Sequence, residues 1–312
     1  MPEKIQNGFY TSQMKLSLLA ALLTVLIGGW AATSQQTRST VELPLEVIGT
    51  EGYIVTTTMY APQGSRARRL WMQVNNLSYD DKASLQINDG AWIQLRNDTA
   101  QIEAAGKAYG GIGGGYSTLR LSVAVTGVVD GRNTVKFRFN KTDGISIGYR
   151  VLAFNLLDKN AQKLVPKTMF TQTDPTGWQP SRNTPQDIAE GTVLWSNATL
   201  RASYQKGTSA IRARCADCHT QDGRDLHQFN YSNRSIVERS KFHGLTQLQG
   251  EQIASYIRTL RGSLGTPSER CRPWNPPYQP GPGLDTAFPL ALDCHFLPVS
   301  YKSSSVAFCD VI

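Results

Sequence analysis

The sequence predicts a multidomain chain with an N-terminal all-β antiparallel sandwich and a C-terminal all-α domain. Three observations carry this reading. Between residues 41 and 165, short runs of β-branched and aromatic residues alternate with Gly, Asn and Asp turn signals, and helical periodicity is absent. Residues 166–184 are polar and punctuated by Pro166, Pro175 and Pro180, which is the composition of a linker. From residue 185, helix-start signals and three- and four-residue apolar spacing bracket the pentapeptide Cys215-Ala216-Asp217-Cys218-His219. At 312 residues and 40% hydrophobic content, the chain can bury two cores of ordinary size.

Residues 1–32 read as a signal peptide. Lys4 and Lys15 precede an apolar run from Leu16 to Ile27, and Gly28, Gly29, Ala31 and Ala32 supply small residues near a cleavage point. The run is 12 residues long, against the about 20 a membrane-spanning helix needs. A periplasmic or extracellular location follows, with membrane association only if the segment stays uncleaved.

The sandwich is assigned to residues 41–165. Leu70–Val74 is one strand. Ser84–Ile87 and Ala91–Leu95, joined by Asn88-Asp89-Gly90, form the clearest hairpin. Leu119–Val129, Asn133–Asn140 and Ser146–Asn155 continue the series, separated by Asp130-Gly131 and Asp143-Gly144. Strands at this spacing suit a two-sheet sandwich. The glycine-rich stretch from Gly106 to Gly115 lacks the Gly-Lys-Ser/Thr of a phosphate loop and any βαβ context, so it reads as a rim loop.

The net charge of +8 does not make this a nucleic-acid-binding protein. The basic residues are scattered apart from Arg66, Arg68 and Arg69, and no nucleic-acid motif accompanies them. Solvated surface is the plain reading, and docking to an acidic redox partner protein the sharper one.

The C-terminal domain is assigned to residues 185–262. Thr184 caps its first helix, Pro185 suits the first helical position, and Asp187 lies in the first turn. The stripe is Ile188, Gly191, Thr192 and Trp195. A last helix starts at Thr246, with Gln249 completing a capping box, and presents Ile253, Tyr256, Ile257 and Leu260 up to Gly262.

Between these helices, Cys215 to His219 is a CxxCH sequence, the attachment motif of a c-type haem. Two thiols three positions apart can each add to one vinyl group of the haem, and His219 then offers an imidazole to the iron as proximal ligand. A redox dithiol would need a βαβ unit, and a zinc site a second ligand pair; neither accompanies Cys215 and Cys218. One covalent haem c is therefore the expected cofactor.

CxxCH flanked by helices, with Gly191, Trp195 and Tyr256 as packing residues, resembles the class I cytochrome c domain over residues 185–262. The resemblance implies that an N-terminal helix crosses a C-terminal helix beside the haem, with Gly191 allowing Tyr256 to approach. Two departures stand out: an extra stretch of chain between Trp195 and Cys215, and the distal ligand. The family usually uses a Met, yet the last Met is Met169. The candidates after the motif are His227, His243 and His295. His243, just before the last helix, is the first choice. His227 is second, because its place eight residues past His219 leaves little chain to reach the other haem face. Two imidazole ligands imply a lower reduction potential than His and Met.

Residues 263–312 form a proline-rich C-terminal extension. The run from Arg272 to Gly283 is similar to one in longer exported bacterial cytochromes that pair a β-domain with a haem domain and continue beyond it. A Met from such a continuation is the alternative sixth ligand. Cys271, Cys294 and Cys309 allow one disulfide, with no pairing preferred.

The functional expectation is electron transfer through the haem, with the sandwich as a docking or ligand-binding module. Two alternatives stay open. An open iron site would suit a peroxidase-like haem enzyme or gas sensor, with His227 or His243 as distal acid–base group. A carbohydrate-binding sandwich would bind a polysaccharide or surface polymer by stacking Trp71, Trp92, Tyr109 or Tyr116 on sugar rings.

Overall fold

The computed structural model describes residues 40–260, except 109, 115–117, 145, 174–176, 201–212 and 229–230. The signal segment, the C-terminal extension with its three cysteines and His295, and Tyr109 and Tyr116 lie outside the described residues.

Eleven strands are described. A five-stranded antiparallel sheet has the order β2 (Leu45–Ile48), β10 (Gly148–Leu157), β4 (Arg69–Asn75), β8 (Thr118–Ala124) and β7 (Ala100–Ile102). It faces a four-stranded antiparallel sheet of β3 (Ile54–Ala61), β9 (Gly131–Phe139), β5 (Ala83–Ile87) and β6 (Ile93–Gln94). β1 (Val41–Leu43) pairs in parallel with β11 (Phe170–Gln172), so a short strand lies within the stretch predicted as linker. The Asn88-Asp89-Gly90 hairpin forms with Ser84 opposite Gln94 and Leu85 opposite Ile93.

Alternation builds the core. Val135, Phe137 and Phe139 of β9 are buried, with partly exposed residues between them. Phe137 meets Phe154 of the facing sheet edge-on, with ring centroids 5.4 Å apart. In β10 the alternation changes phase. Its pairing with β4 shifts between Val151 and Ala153, so Tyr149 and Val151, but then Phe154 and Leu156, join the core. Arg150, paired with Asn75, consequently points to the outer face together with Asn155, paired with Trp71.

Six α-helices are described, none longer than thirteen residues: α1 (Ala104–Ala108), α2 (Pro185–Asn197), α3 (Cys215–Cys218), α4 (Arg224–Gln228), α5 (Asn233–Phe242) and α6 (Gln247–Thr259). Thr184 accepts the Asp187 amide and caps α2; Thr246 and Gln249 form the capping box of α6. The expected all-α cytochrome c domain is not what these helices make. The described chain is mostly antiparallel β, and its described residues fall in one compact unit. Caps and stripes locate helices correctly but do not say what the helices pack on. Here α5 packs on the sandwich. Phe242 belongs to the sandwich's apolar cluster, whereas Ile236 and Val237 of the same helix belong to the helical cluster with Trp195, Ile253 and Ile257. Glu46 of β2 accepts the Ser232 backbone N–H at 3.0 Å and the Ser232 hydroxyl. Arg234 donates to the Ile48 carbonyl and covers the Tyr53 ring.

Phe242→Ala should destabilise the whole chain by about 3 kcal/mol, because it opens a cavity at this junction. Urea unfolding followed by sheet and helix signals should show both losing stability together.

Candidate cofactor site

α2 and α6 cross where α2 carries no side chain. A Cβ on Gly191 would lie 2.1 Å from the Gln252 carbonyl oxygen and 2.9 Å from the Tyr256 Cβ, so only glycine permits the contact. Asp187 ties the crossing together: it takes hydrogen bonds from Arg182 at 3.0 Å, Thr184 at 2.6 Å and Gln252 at 3.1 Å. These bonds hold the Asp187 carboxyl below its usual range, with the Thr184 hydroxyl the largest cause.

The crossing carries the loop around the motif. Trp195 is buried and donates its indole N–H to the Gln221 carbonyl at 2.8 Å, and the Tyr256 hydroxyl donates to the Asp222 carbonyl at 3.0 Å. Gly223, at φ +75°, lies under the Trp195 ring, where a Cβ would be 3.1 Å from the ring and 2.3 Å from Ile257.

α3 is a single turn. The Arg214 and Asp217 side chains bond each other at 2.8 Å, and the Arg214 amide donates to Asp217 at 2.9 Å. One turn puts Cys215 and Cys218 on the same side. Neither is in a disulfide. Burial pushes the Cys215 thiol up to about 12 and raises Cys218, so both are neutral thiols rather than the depressed-pKa thiolate of a dithiol oxidoreductase.

His219 follows the turn. Its Nδ1 is 2.8 Å from Oδ2 of Asp225, a fully buried carboxylate whose other oxygen accepts the Thr220 hydroxyl at 2.8 Å. A carboxylate on Nδ1 fixes the ring's orientation and leaves the lone pair on Nε2, the arrangement that a metal-bound imidazole needs.

The space beside His219 is a cavity of about 140 Å³ that opens to solvent. Cys215, Cys218, His219 and Trp195 line one side. Ile236, Ser240 and His243 of α5 and its C-terminal cap line another, and Ile48, Ile147 and Tyr149 of the sandwich close it. His243 caps α5, its N–H donating to the Ser240 carbonyl at 3.1 Å, and its Nδ1 is buried without a hydrogen-bond partner among the described residues. Burial first, then the charges of Arg239 and His219, push the His243 pKa down to about 3. His243 is therefore neutral at pH 7, the form that can bind a metal.

Of the residues predicted from sequence, the cavity brings together Cys215, Cys218, His219 and His243. His227 is buried on α4 and is not among the described residues lining it. Sequence reasoning missed Asp225, Arg239 and Arg150. An Asp six residues past a motif His is no signal without a structure. Among the described residues, no group of three or more His, Cys, Asp and Glu is placed to hold a metal ion, and no helix is long and apolar enough to cross a membrane.

The aromatics proposed for sugar stacking differ. Trp71 is buried, bonds Glu103 at 2.9 Å and lies under Lys163. Trp92 is half-buried beneath Arg138, 4.0 Å away.

No family model matches the chain, and no curated protein matches it. Among the solved structures similar to parts of it are the following two. One is an exo-β-1,3-galactanase from Phanerochaete chrysosporium with galactose, at 13% identity and TM-score 0.25, covering 36% of this chain and 22% of that one. The other is the CBM35 of Cellvibrio japonicus Abf62, at 16% identity and TM-score 0.24, covering 40% and 75%. Likeness at this level fixes neither family nor activity.

Gly191→Ala should cost about 1–3 kcal/mol, because the backbone of α6 must retreat from the new methyl group. Chemical denaturation measures the loss.

Proposed function

We propose that this chain holds one c-type haem in the cavity and transfers electrons through it as an exported protein. Cys215 and Cys218 are the thioether residues, His219 the proximal ligand and His243 the distal one. The observation that supports this best is that one apolar cavity gathers both thiols, an Asp225-oriented imidazole and a second, neutral imidazole whose Nδ1 is buried without a partner. These residues fit the group: thiols for its vinyl carbons, imidazoles for its iron, and aliphatic side chains for its ring. A bound haem supplies one-electron exchange at its iron. Asp225 holds His219, the α5 cap holds His243, and the apolar walls exclude water. Haem c is attached outside the cytoplasm, which agrees with the predicted signal peptide. A redox partner protein completes the reading.

The runner-up, an open iron serving as enzyme or sensor, differs in one observable. Carbon monoxide should leave the visible spectrum of the reduced wild-type protein unchanged and shift that of His243→Ala. A shift in the wild type would favour the open-site reading.

A second reading concerns the sandwich. Trp92 sits on the outer face of the four-stranded sheet beside a polar network. There Arg138 donates to Asn140 at 2.8 Å and to Ser84 at 3.1 Å, and Asn140 donates to Gln94 at 2.7 Å. An aromatic ring among amide and hydroxyl groups suits a sugar. If this face binds carbohydrate, a glycan array probed with the full chain should give signals that Trp92→Ala loses at least tenfold; no signal removes this reading.

A further inference from the structure

His219 is oriented by a charge where a neutral group would orient it equally well. Its Nδ1 lies 2.8 Å from Oδ2 of Asp225. A backbone carbonyl or a water on Nδ1 also fixes a ligand imidazole, and burying a carboxylate costs far more than burying a carbonyl. Asp225 is nevertheless 0% exposed. The local chain puts it there. The Gly223 amide donates to the Thr220 carbonyl at 2.9 Å and closes a turn, and α4 starts immediately after it, which returns Asp225 to His219. Oδ1 of Asp225 takes two hydrogen bonds from Thr220, from its hydroxyl at 2.8 Å and from its N–H at 3.2 Å. The Trp195 ring packs beside the imidazole, with centroids 5.6 Å apart. In such poorly solvated surroundings a charge acts more strongly than it does in water.

What a carboxylate adds to orientation is negative charge. Accepting a hydrogen bond from Nδ1, it moves electron density toward Nε2 and makes the imidazole a more basic ligand. A more basic ligand and a nearby negative charge both favour ferric iron, which carries one positive charge more than ferrous iron. We propose that Asp225 sets the reduction potential of the haem, holding it low through His219. The inference rests on the haem reading above. On reduction, one electron from the redox partner enters at the iron, the proton on Nδ1 stays between His219 and Asp225, and no bond to either residue forms or breaks. The partner that reduces this chain is then a strongly reducing protein. Thr220 moderates the effect, because its hydroxyl draws charge toward Oδ1 and away from the oxygen that meets His219.

The test is the midpoint potential of the exported holoprotein, with covalent haem quantified in each variant. Asp225→Asn keeps the shape and an acceptor oxygen but removes the charge. It should raise the potential by about 59 mV or more, a tenfold change in the equilibrium of a one-electron couple. Thr220→Val should lower the potential, because the carboxylate loses its hydroxyl donor. Packing damage alone would not move the two variants in opposite directions. Glu238→Gln, at a part-exposed site on α5 paired with Lys241 at 3.1 Å, should have a far smaller effect. Haem-loaded Asp225→Asn at or below the wild-type potential would overturn the inference while leaving the haem reading intact, and so would Thr220→Val at or above it. If Asp225→Asn takes up no haem, Thr220→Val alone decides. A wild-type protein without haem would overturn both readings.

Discussion

Helix α5 belongs to two apolar clusters at once. Phe242 is buried with the sandwich, and Ile236 and Val237 are buried with α2 and α6. A ten-residue helix is too short to be stable alone in water, so it exists because both clusters hold it. The constraint runs both ways. The helices have an anchor on the sheet, and the outer face of the five-stranded sheet has a cover for Arg150 and Asn75. Most of the chemistry follows from where this helix is pinned, because Arg239 and His243 are carried on it and its cap.

The two imidazoles that face the cavity are held by different means. His219 is set by local chain: a one-turn helix, then the buried Asp225. His243 is set by tertiary packing: its neighbour Phe242 is embedded in the sandwich and its own N–H caps α5. A cavity with one wall fixed locally and another fixed by a separate layer keeps its width only while the two layers stay docked. The Ser232–Glu46 and Arg234–Ile48 hydrogen bonds, together with the stacking of Arg150 on Tyr231, provide that docking.

Much of this was legible in the residues. The strand series, the Asn88-Asp89-Gly90 hairpin and the Thr184 and Thr246 caps all arise from local chemistry that sequence displays directly, whereas the crossing at Gly191 was expected only from a family resemblance. The motif cysteines and His219 were legible for the same reason. What the sequence hid is tertiary. Stripes such as Ile253, Tyr256 and Ile257 announce a buried face but not its partner, so an independent all-α domain was expected where a helical layer on a sheet exists. The phase change in β10 was equally hidden, because the run from Gly148 to Leu157 alternates on both sides of a bulge that only the pairing with β4 reveals. Arg150 and Asp225 acquired their places from that tertiary arrangement.

The central claim is a covalent cofactor in the cavity, and extraction tests it most directly. The chain would be produced with export and haem-attachment machinery, purified, denatured and treated with acidified organic solvent, which removes non-covalent haem. The account predicts that haem absorbance stays with the polypeptide at one haem per chain and that the Cys215→Ala/Cys218→Ala chain retains none. A colourless wild-type polypeptide after extraction, or equal retention by the double variant, would contradict it.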